Sequence, residues 1–403
     1  MQRTLGRSVV ITGLGAFTPY GVGWSKVREG LDADVRAIAS IDGLFPDVHG
    51  RVAGCIRDLA PFHAAFPDVR PPYPIRLTRI VMVAAHAAIA DAAIDVTAPR
   101  EDFGIVLERG RGPTPVVVKA MEPVFARGPR NMSPLLFSQS VSNAPAGAVA
   151  TAFGLRGTHL LAIGGGGMLA AFDAIRRGDA NAILCGGFDE IDADSFLAAE
   201  RNGYLHATAD VSAYRPGEAS SPGAPRGEGC VCLVMEAAST ARARGARVYA
   251  ELAAVEQGLD FAEDGPLDRG ATEGWGAPKA ASLARYARAA LDVAGEPIGS
   301  VGLAVGGASG VRVIDAAVHE AYRSLELDRL GVRSLKGHLG EMWGAATFAS
   351  IAWVADSLER RQADCATLGR GRGVEATDAR VALVTNLEFQ GQHVAAVLRR
   401  SVA

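Results

Sequence analysis

The chain has 403 residues, 49% hydrophobic and 21% charged, which is enough apolar material for a large core and too much for a disordered chain. Its 41 Lys and Arg against 44 Asp and Glu leave a net charge of -3, so no global field draws it to nucleic acid or an anionic membrane. Five scattered cysteines (Cys55, Cys185, Cys230, Cys232, Cys365) match neither a disulfide framework nor zinc-ligand spacing, which points to a reducing compartment. The uncharged stretches are interrupted by Pro, Gly, Ser and Asn, and the opening MQRTLGRSVVITG lacks the make-up of a signal peptide. We expect a cytoplasmic α/β protein with no membrane span, no metal and no cofactor.

In chain order, residues 8–12 predict a strand that turns at Gly13-Leu-Gly15. Residues 77–93 carry apolar side chains at helical spacing. A buried strand is expected at 103–107, a helix at 144–153 and a strand at 158–163. A glycine-rich helix start at 164–167 leads into a helix to 177, followed by a strand at 181–185. The second part repeats the style, with strands at 248–255, 301–305, 381–385 and 394–398 and helices at 279–294, 315–325 and 344–359. Such alternation implies parallel sheets covered by helices. Residues 207–225 and 256–276, rich in Gly, Pro, Asp and Ser, read as the least ordered. The pattern restarts near residue 245, giving an N-terminal half 1–245 and a C-terminal half 246–403.

Two glycine motifs invite a nucleotide reading and fail it. After Gly13-x-Gly15 the third glycine of a dinucleotide fingerprint should stand at 18, which is Thr18, and no ribose-binding acid follows. The motif reads as a tight strand exit. Gly164-Gly-Gly-Gly167 lacks the Lys-Ser/Thr of a phosphate loop and reads as a close backbone approach.

Val9-Val-Ile-Thr-Gly-Leu-Gly-Ala-Phe-Thr-Pro-Tyr-Gly21 resembles the N-terminal signature of β-ketoacyl-acyl-carrier-protein synthases. The same family is resembled by Arg127-Gly-Pro-Arg-Asn-Met-Ser-Pro134 and by Asn143-x-x-x-Gly147 with Phe153-Gly-Leu-Arg-Gly157. Further along, Ala174-Ile-Arg-Arg-Gly-Asp-Ala180 with Cys185-Gly-Gly187, and Gly227-Glu-Gly229 with Leu233-Val-Met-Glu236, are similar too. Lys336 ahead of Gly344-Ala-Ala346 completes a collinear series over nearly the whole chain. The resemblance implies a thiolase fold, two related βαβαβαββ halves in a five-layer αβαβα arrangement.

That family's chemistry needs a cysteine at a strand-to-helix turn, its thiolate favoured by the helix N-terminus, and two histidines that stabilise the enolate of a decarboxylating malonyl thioester. Counted from the shared landmarks, the three positions fall on Leu161, Gly307 and Glu341. No Cys, Ser or Thr lies between His159 and Phe172, and Val305-Gly-Gly-Ala-Ser-Gly310 offers no imidazole. His338 is near the third position, but Lys336 and Gly344 fix the loop from both sides. An ionised Glu341 only accepts hydrogen bonds and would repel a malonyl group. Since the family lysine's glutamate partner is replaced by Ser350, Lys336 and Glu341 are expected to neutralise one another. The closing loop also departs from the family pattern, reading Asn386-Leu-Glu-Phe-Gln-Gly391.

The resemblance therefore implies a degenerate member, a chain-length factor. Such a subunit forms a heterodimer with an active ketosynthase, acts on chains held by an acyl carrier protein, and serves type II polyketide, aryl-polyene or fatty-acid-like biosynthesis. Its tunnel-lining residues would be Thr114, Val117 and Met121, on the helix after the 103–107 strand, with Phe389 in the closing loop. The familiar chain-length factor carries glutamine where this chain has Leu161. The alternative is an active β-ketoacyl synthase or acyltransferase with a relocated nucleophile, such as Cys185 or Ser309.

Overall fold

The computed structural model describes residues 6–45, 48–70, 74–201, 210–218, 220–221, 223–259, 280–364, 373–387 and 392–401. Nine strands build its main sheet: β1 (Val9–Thr18), β2 (Phe103–Arg109), β3 (His159–Ile163), β4 (Ala182–Asp189), β5 (Gly229–Ala237), β6 (Ala250–Leu259), β7 (Val301–Val305), β8 (Val381–Leu387) and β9 (Gln392–Arg399). The helices that position the site are α1 (Arg76–Asp91), α2 (Thr114–Arg127), α3 (Pro134–Gln139), α4 (Ala144–Phe153), α5 (Gly167–Arg177), α6 (Ala280–Ala294), α7 (Arg312–Ser324), α8 (Lys336–Leu339) and α9 (Ala346–Arg360).

The strands run β7-β8-β9-β6-β1-β5-β4-β2-β3, with the short strand Gly21–Val22 added on β1. Outward from the antiparallel β1/β6 pair the two arms repeat one order, β1-β5-β4-β2-β3 and β6-β9-β8-β7. A segment with no strand of its own takes the place beside β7 that β3 takes beside β2, since the Gly306 amide donates to the Arg333 carbonyl at 2.8 Å. The sheet is mixed rather than purely parallel: β2 is parallel to β3 and β4, and β7 to β8, while the remaining pairs of main strands are antiparallel.

Three apolar clusters define the layers. α1 and α4 cover one outer face, α6 and α7 cover the other, and α5 and α9 lie between the two arms of the sheet. α9 explains itself by composition: Ala, Ser, Thr and large apolar residues occupy every side, and nearly all of it is buried. A helix that is apolar all round must be buried all round. Truncating its fully buried Phe348 to Ala would cost about 3–5 kcal/mol in thermal or denaturant unfolding by opening a cavity.

Gly13-Leu-Gly15 does not end its strand. Both glycines lie inside β1, where a Cβ on Gly15 would sit 2.2 Å from the Ala88 amide nitrogen and one on Gly13 2.5 Å from the Ala88 carbonyl oxygen. They let α1 approach the sheet backbone directly. Residues 256–259, expected to be poorly ordered, extend β6; the rest of that expected stretch lies outside the described residues.

Candidate functional site

The turn between β3 and α5 is made by Gly164, Gly165 and Gly166, with φ of 72°, 115° and 101°. Three successive residues in the left-handed region exclude other side chains there, and a Cβ on Gly165 would lie 1.5 Å from Gln392 Nε2. Leu161, placed at this turn by counting, instead lies in the middle of β3, paired with Leu107, and packs toward the outer α1/α4 layer. The strand runs to Ile163, in keeping with the expected strand at 158–163, so a position counted onto residue 161 falls inside it.

The N-terminus of α5 is already capped by a carboxyl group of this chain's own. Glu108, buried on β2, accepts the Gly167 N–H at 3.0 Å. Burial pushes its carboxyl up to about 7, against the pull of the Gly167 amide. The helix end that would favour a thiolate is capped by a carboxylate from the neighbouring strand.

Gly307 follows β7, and a Cβ there would stand 2.6 Å from Asn386 Oδ1 and 2.7 Å from the Leu387 amide nitrogen. Its carbonyl accepts from Lys336 Nζ at 3.3 Å, and the same Nζ lies 2.6 Å from Glu341 Oε2, with both side chains buried. Glu341 Oε1 accepts the Trp343 N–H at 3.0 Å. Gly307, Lys336 and Glu341 thus form one contiguous cluster. His338 points elsewhere, with Nε2 3.0 Å from Asp34 Oδ1, and Ser350 Oγ donates to the Ala346 carbonyl at 3.1 Å.

Three of the expected tunnel residues sit on α2. α2 turns Val116 and Ala120 inward, while Thr114 and Val117 are exposed, Val117 at 38%, and Met121 is half-buried. Phe389 lies outside the described residues. Three successive valines at 116–118 give no phase to a helical wheel, so the sequence does not say which of them the packed side takes. The two candidate relocated nucleophiles are both buried. Cys185 is enclosed in β4 with its thiol pushed well up by burial, and Ser309, fully buried, uses Oγ to accept the Val311 N–H at 3.3 Å. Among the described residues no group of His, Cys, Asp and Glu is arranged to hold a metal ion, and no helix is long and apolar enough to cross a membrane.

One surface was not singled out from the sequence. Of the twelve large apolar side chains left exposed among the described residues, eight fall between Val117 and Ile163. They lie on α2, α3, the residues just after α3, and β3, which is the end strand of the sheet. The available signal was the apolar character of β3 in a strand that needs a partner on each side.

Comparison with known proteins agrees with this architecture. The chain is 28% identical over 373 residues to the 3-oxoacyl-[acyl-carrier-protein] synthase 2 of Staphylococcus aureus (strain COL), spanning 87% of this chain and 86% of that protein. Among solved structures, the ishigamide ketosynthase/chain length factor superposes with a TM-score of 0.82 at 23% identity, over 98% of this chain and 100% of that one. The ketosynthase in complex with its type II polyketide acyl-carrier protein, AntDE:AntF, gives 0.80 at 19% identity, also over 98% and 100%. Residues 6–241 match the model of the beta-ketoacyl synthase N-terminal domain, and with the thiolase-like layers around them this chain belongs to the β-ketoacyl synthase family.

Proposed function

We propose that this chain is a non-catalytic ketosynthase-like subunit, a chain-length factor that pairs with an active ketosynthase in a cytoplasmic complex and helps shape the path of a carrier-bound acyl chain. The observation that carries this reading is Gly307: a histidine there would drive its Cβ into Asn386 and the Leu387 backbone, so the position is closed as well as empty of an imidazole. Around it, Glu341 is neutralised by Lys336, and the glycine turn before α5 presents a capped helix end with no nucleophile. A group of residues that acts as a unit does not regain turnover piecemeal.

The exposed apolar stretch from Val117 to Ile163 supports a partner subunit, because an unpaired apolar edge strand beside apolar helices is a ready pairing surface. The fold shared with a ketosynthase/chain length factor and with a ketosynthase bound to its carrier protein leads us to name those two partners. On this reading the halves divide near residue 245, between β5 and β6.

The test is intact-mass analysis of malonyl-carrier protein incubated with the pure chain, with the co-expressed ketosynthase, and with both. Elongation should require the ketosynthase, and the pure chain should form neither an acyl adduct nor acetyl-carrier. Robust acetyl-carrier formation by the pure chain would sink the proposal. Leu161→Cys should not restore turnover, because that side chain leaves β3 toward the outer helices and away from the turn.

A further inference from the structure

Arg226 is 2% exposed, its backbone bridged to Glu341, and none of its three guanidinium nitrogens has a hydrogen-bond partner among the described residues. It lies over the Trp343 ring at 3.4 Å from the centroid, and Arg111 lies 4.0 Å from the same centroid. Arg109, also 2% exposed, stands beside this loop: a Cβ on the following residue, Gly110, would meet the Trp343 Cβ at 2.7 Å. Nε and Nη1 of Arg109 and Nε of Arg111 are likewise buried without partners. Two segments distant in sequence therefore bring the guanidinium groups of Arg111 and Arg226 to one indole, while the Arg109 guanidinium lies over the Phe188 ring, 5.3 Å from its centroid, with Nη2 donating to the Gly112 carbonyl at 3.2 Å.

The carboxylates nearby do not satisfy them. Glu341 is held by Lys336, and Glu190 lies 3.8 Å from Arg76. Asp189 gives Oδ2 to the amides of Gly110 and Gly344, at 2.7 and 3.0 Å. Asp192 reaches only Arg111, at 3.6 Å. None of these carboxylates accepts a hydrogen bond from the Arg226 guanidinium. Stacking on an indole attracts the face of a guanidinium but leaves its in-plane N–H donors unmade. A buried charge left in that condition is costly, and a planar fork of donors matches two oxygens of a carboxylate or phosphate.

We propose that Arg111 and Arg226 form an anion-binding site around Trp343 that takes one carboxylate or phosphate group. The inference goes beyond the subunit role and stands without it. Burial, and then the charge of Arg111, pull the Arg226 guanidinium down to about 9. A bound oxyanion opposes both influences. Because Arg226 is bridged to Glu341, the bound group lies beside the Lys336–Glu341 cluster and orients whatever it is attached to relative to that loop.

Calorimetric titration and thermal melting of the full chain at matched ionic strength test this, with inorganic phosphate and malonate as probes and chloride as the control. Saturable binding of at least one probe, with a raised melting temperature, is expected. Phosphate alone assigns the site to a phosphorylated ligand and malonate alone to an acyl carboxylate, while binding of both marks a general oxyanion site. Arg226→Met should weaken binding roughly 30-fold or more, by removing the central charged partner. It should also melt no lower than the unaltered chain in chloride, since it removes a buried unpaired charge. If it fails to fold, Arg111→Met serves in its place. No saturable binding of either probe to the unaltered chain, or unchanged affinity in the folded variants, overturns the proposal.

Discussion

Without Lys336, the Glu341 carboxylate would keep a single amide donor in a site from which water is excluded. Breaking a buried pair by deleting one partner is far worse than replacing both, because the survivor remains charged and desolvated. Lys336→Met is therefore expected to cost about 3–5 kcal/mol in denaturant unfolding, and Lys336→Met with Glu341→Leu much less. A double variant as unstable as the single one would assign the loss to packing instead. Glu108 gives a second expectation, set by pH. Its folded-state pKa is about 7 against the ordinary 4.5, so between these values the unfolded chain ionises first. Its contribution to stability is then fully present below pH 4.5 and is lost as pH rises through 7, on the order of 3 kcal/mol in all. Glu108→Gln keeps an acceptor for the Gly167 amide and removes the charge. It should leave stability at pH 5 nearly unchanged and raise it at pH 8, as read from unfolding curves at the two pH values.

At the scale of the element, α2 shows how burial and periodicity part company. Apolar residues run around most of this helix, and the packed side is the one carrying Val116 and Ala120. Ala120→Phe should overpack that side and cost about 1–3 kcal/mol, whereas Val117→Phe should change stability by no more than about 0.5 kcal/mol. Thermal melting of both variants checks the assignment, and equal losses would mean that both residues face the core. The glycines of β1 carry the same lesson. Gly13-Leu-Gly15 looks like a turn when only chain-local preferences are considered. It is strand because α1, contributed by residues 76–91, comes within contact distance of the strand backbone.

For the molecule as a whole, the consequence of the layer arrangement is a sheet with two unlike ends. The β7 end is flanked by the segment around Arg333, while β3 ends the sheet with Leu160 39% and Ile163 59% exposed. Ile163→Lys places a charge on that edge without touching the core. The isolated chain should melt as before within about 0.5 kcal/mol, and the proposed complex with a ketosynthase should weaken by about tenfold or more, measured by size-exclusion and sedimentation. Undiminished association would place the pairing surface elsewhere.

The sequence by itself determined most of the elements and the family. Strand and helix periodicities, and motifs collinear from Val9 to Ala346, are local properties that each segment carries with it. It also shows that residues 159–172 carry no Cys, Ser or Thr and that residues 305–310 carry no His, whatever the fold does with them. The tertiary structure alone decided where those segments come to lie. Leu161 belongs to a strand because β2 pairs with it through residue 163, and Val117 is exposed because α2 settles on Val116 and Ala120. Gly307 is closed because Asn386, far along the chain, packs against it. Glu108 caps α5, and Arg226 meets Arg111 across Trp343, through contacts between residues 59 or more positions apart. Contacts of that range depend on how layers pack, and no pattern within a single segment encodes them.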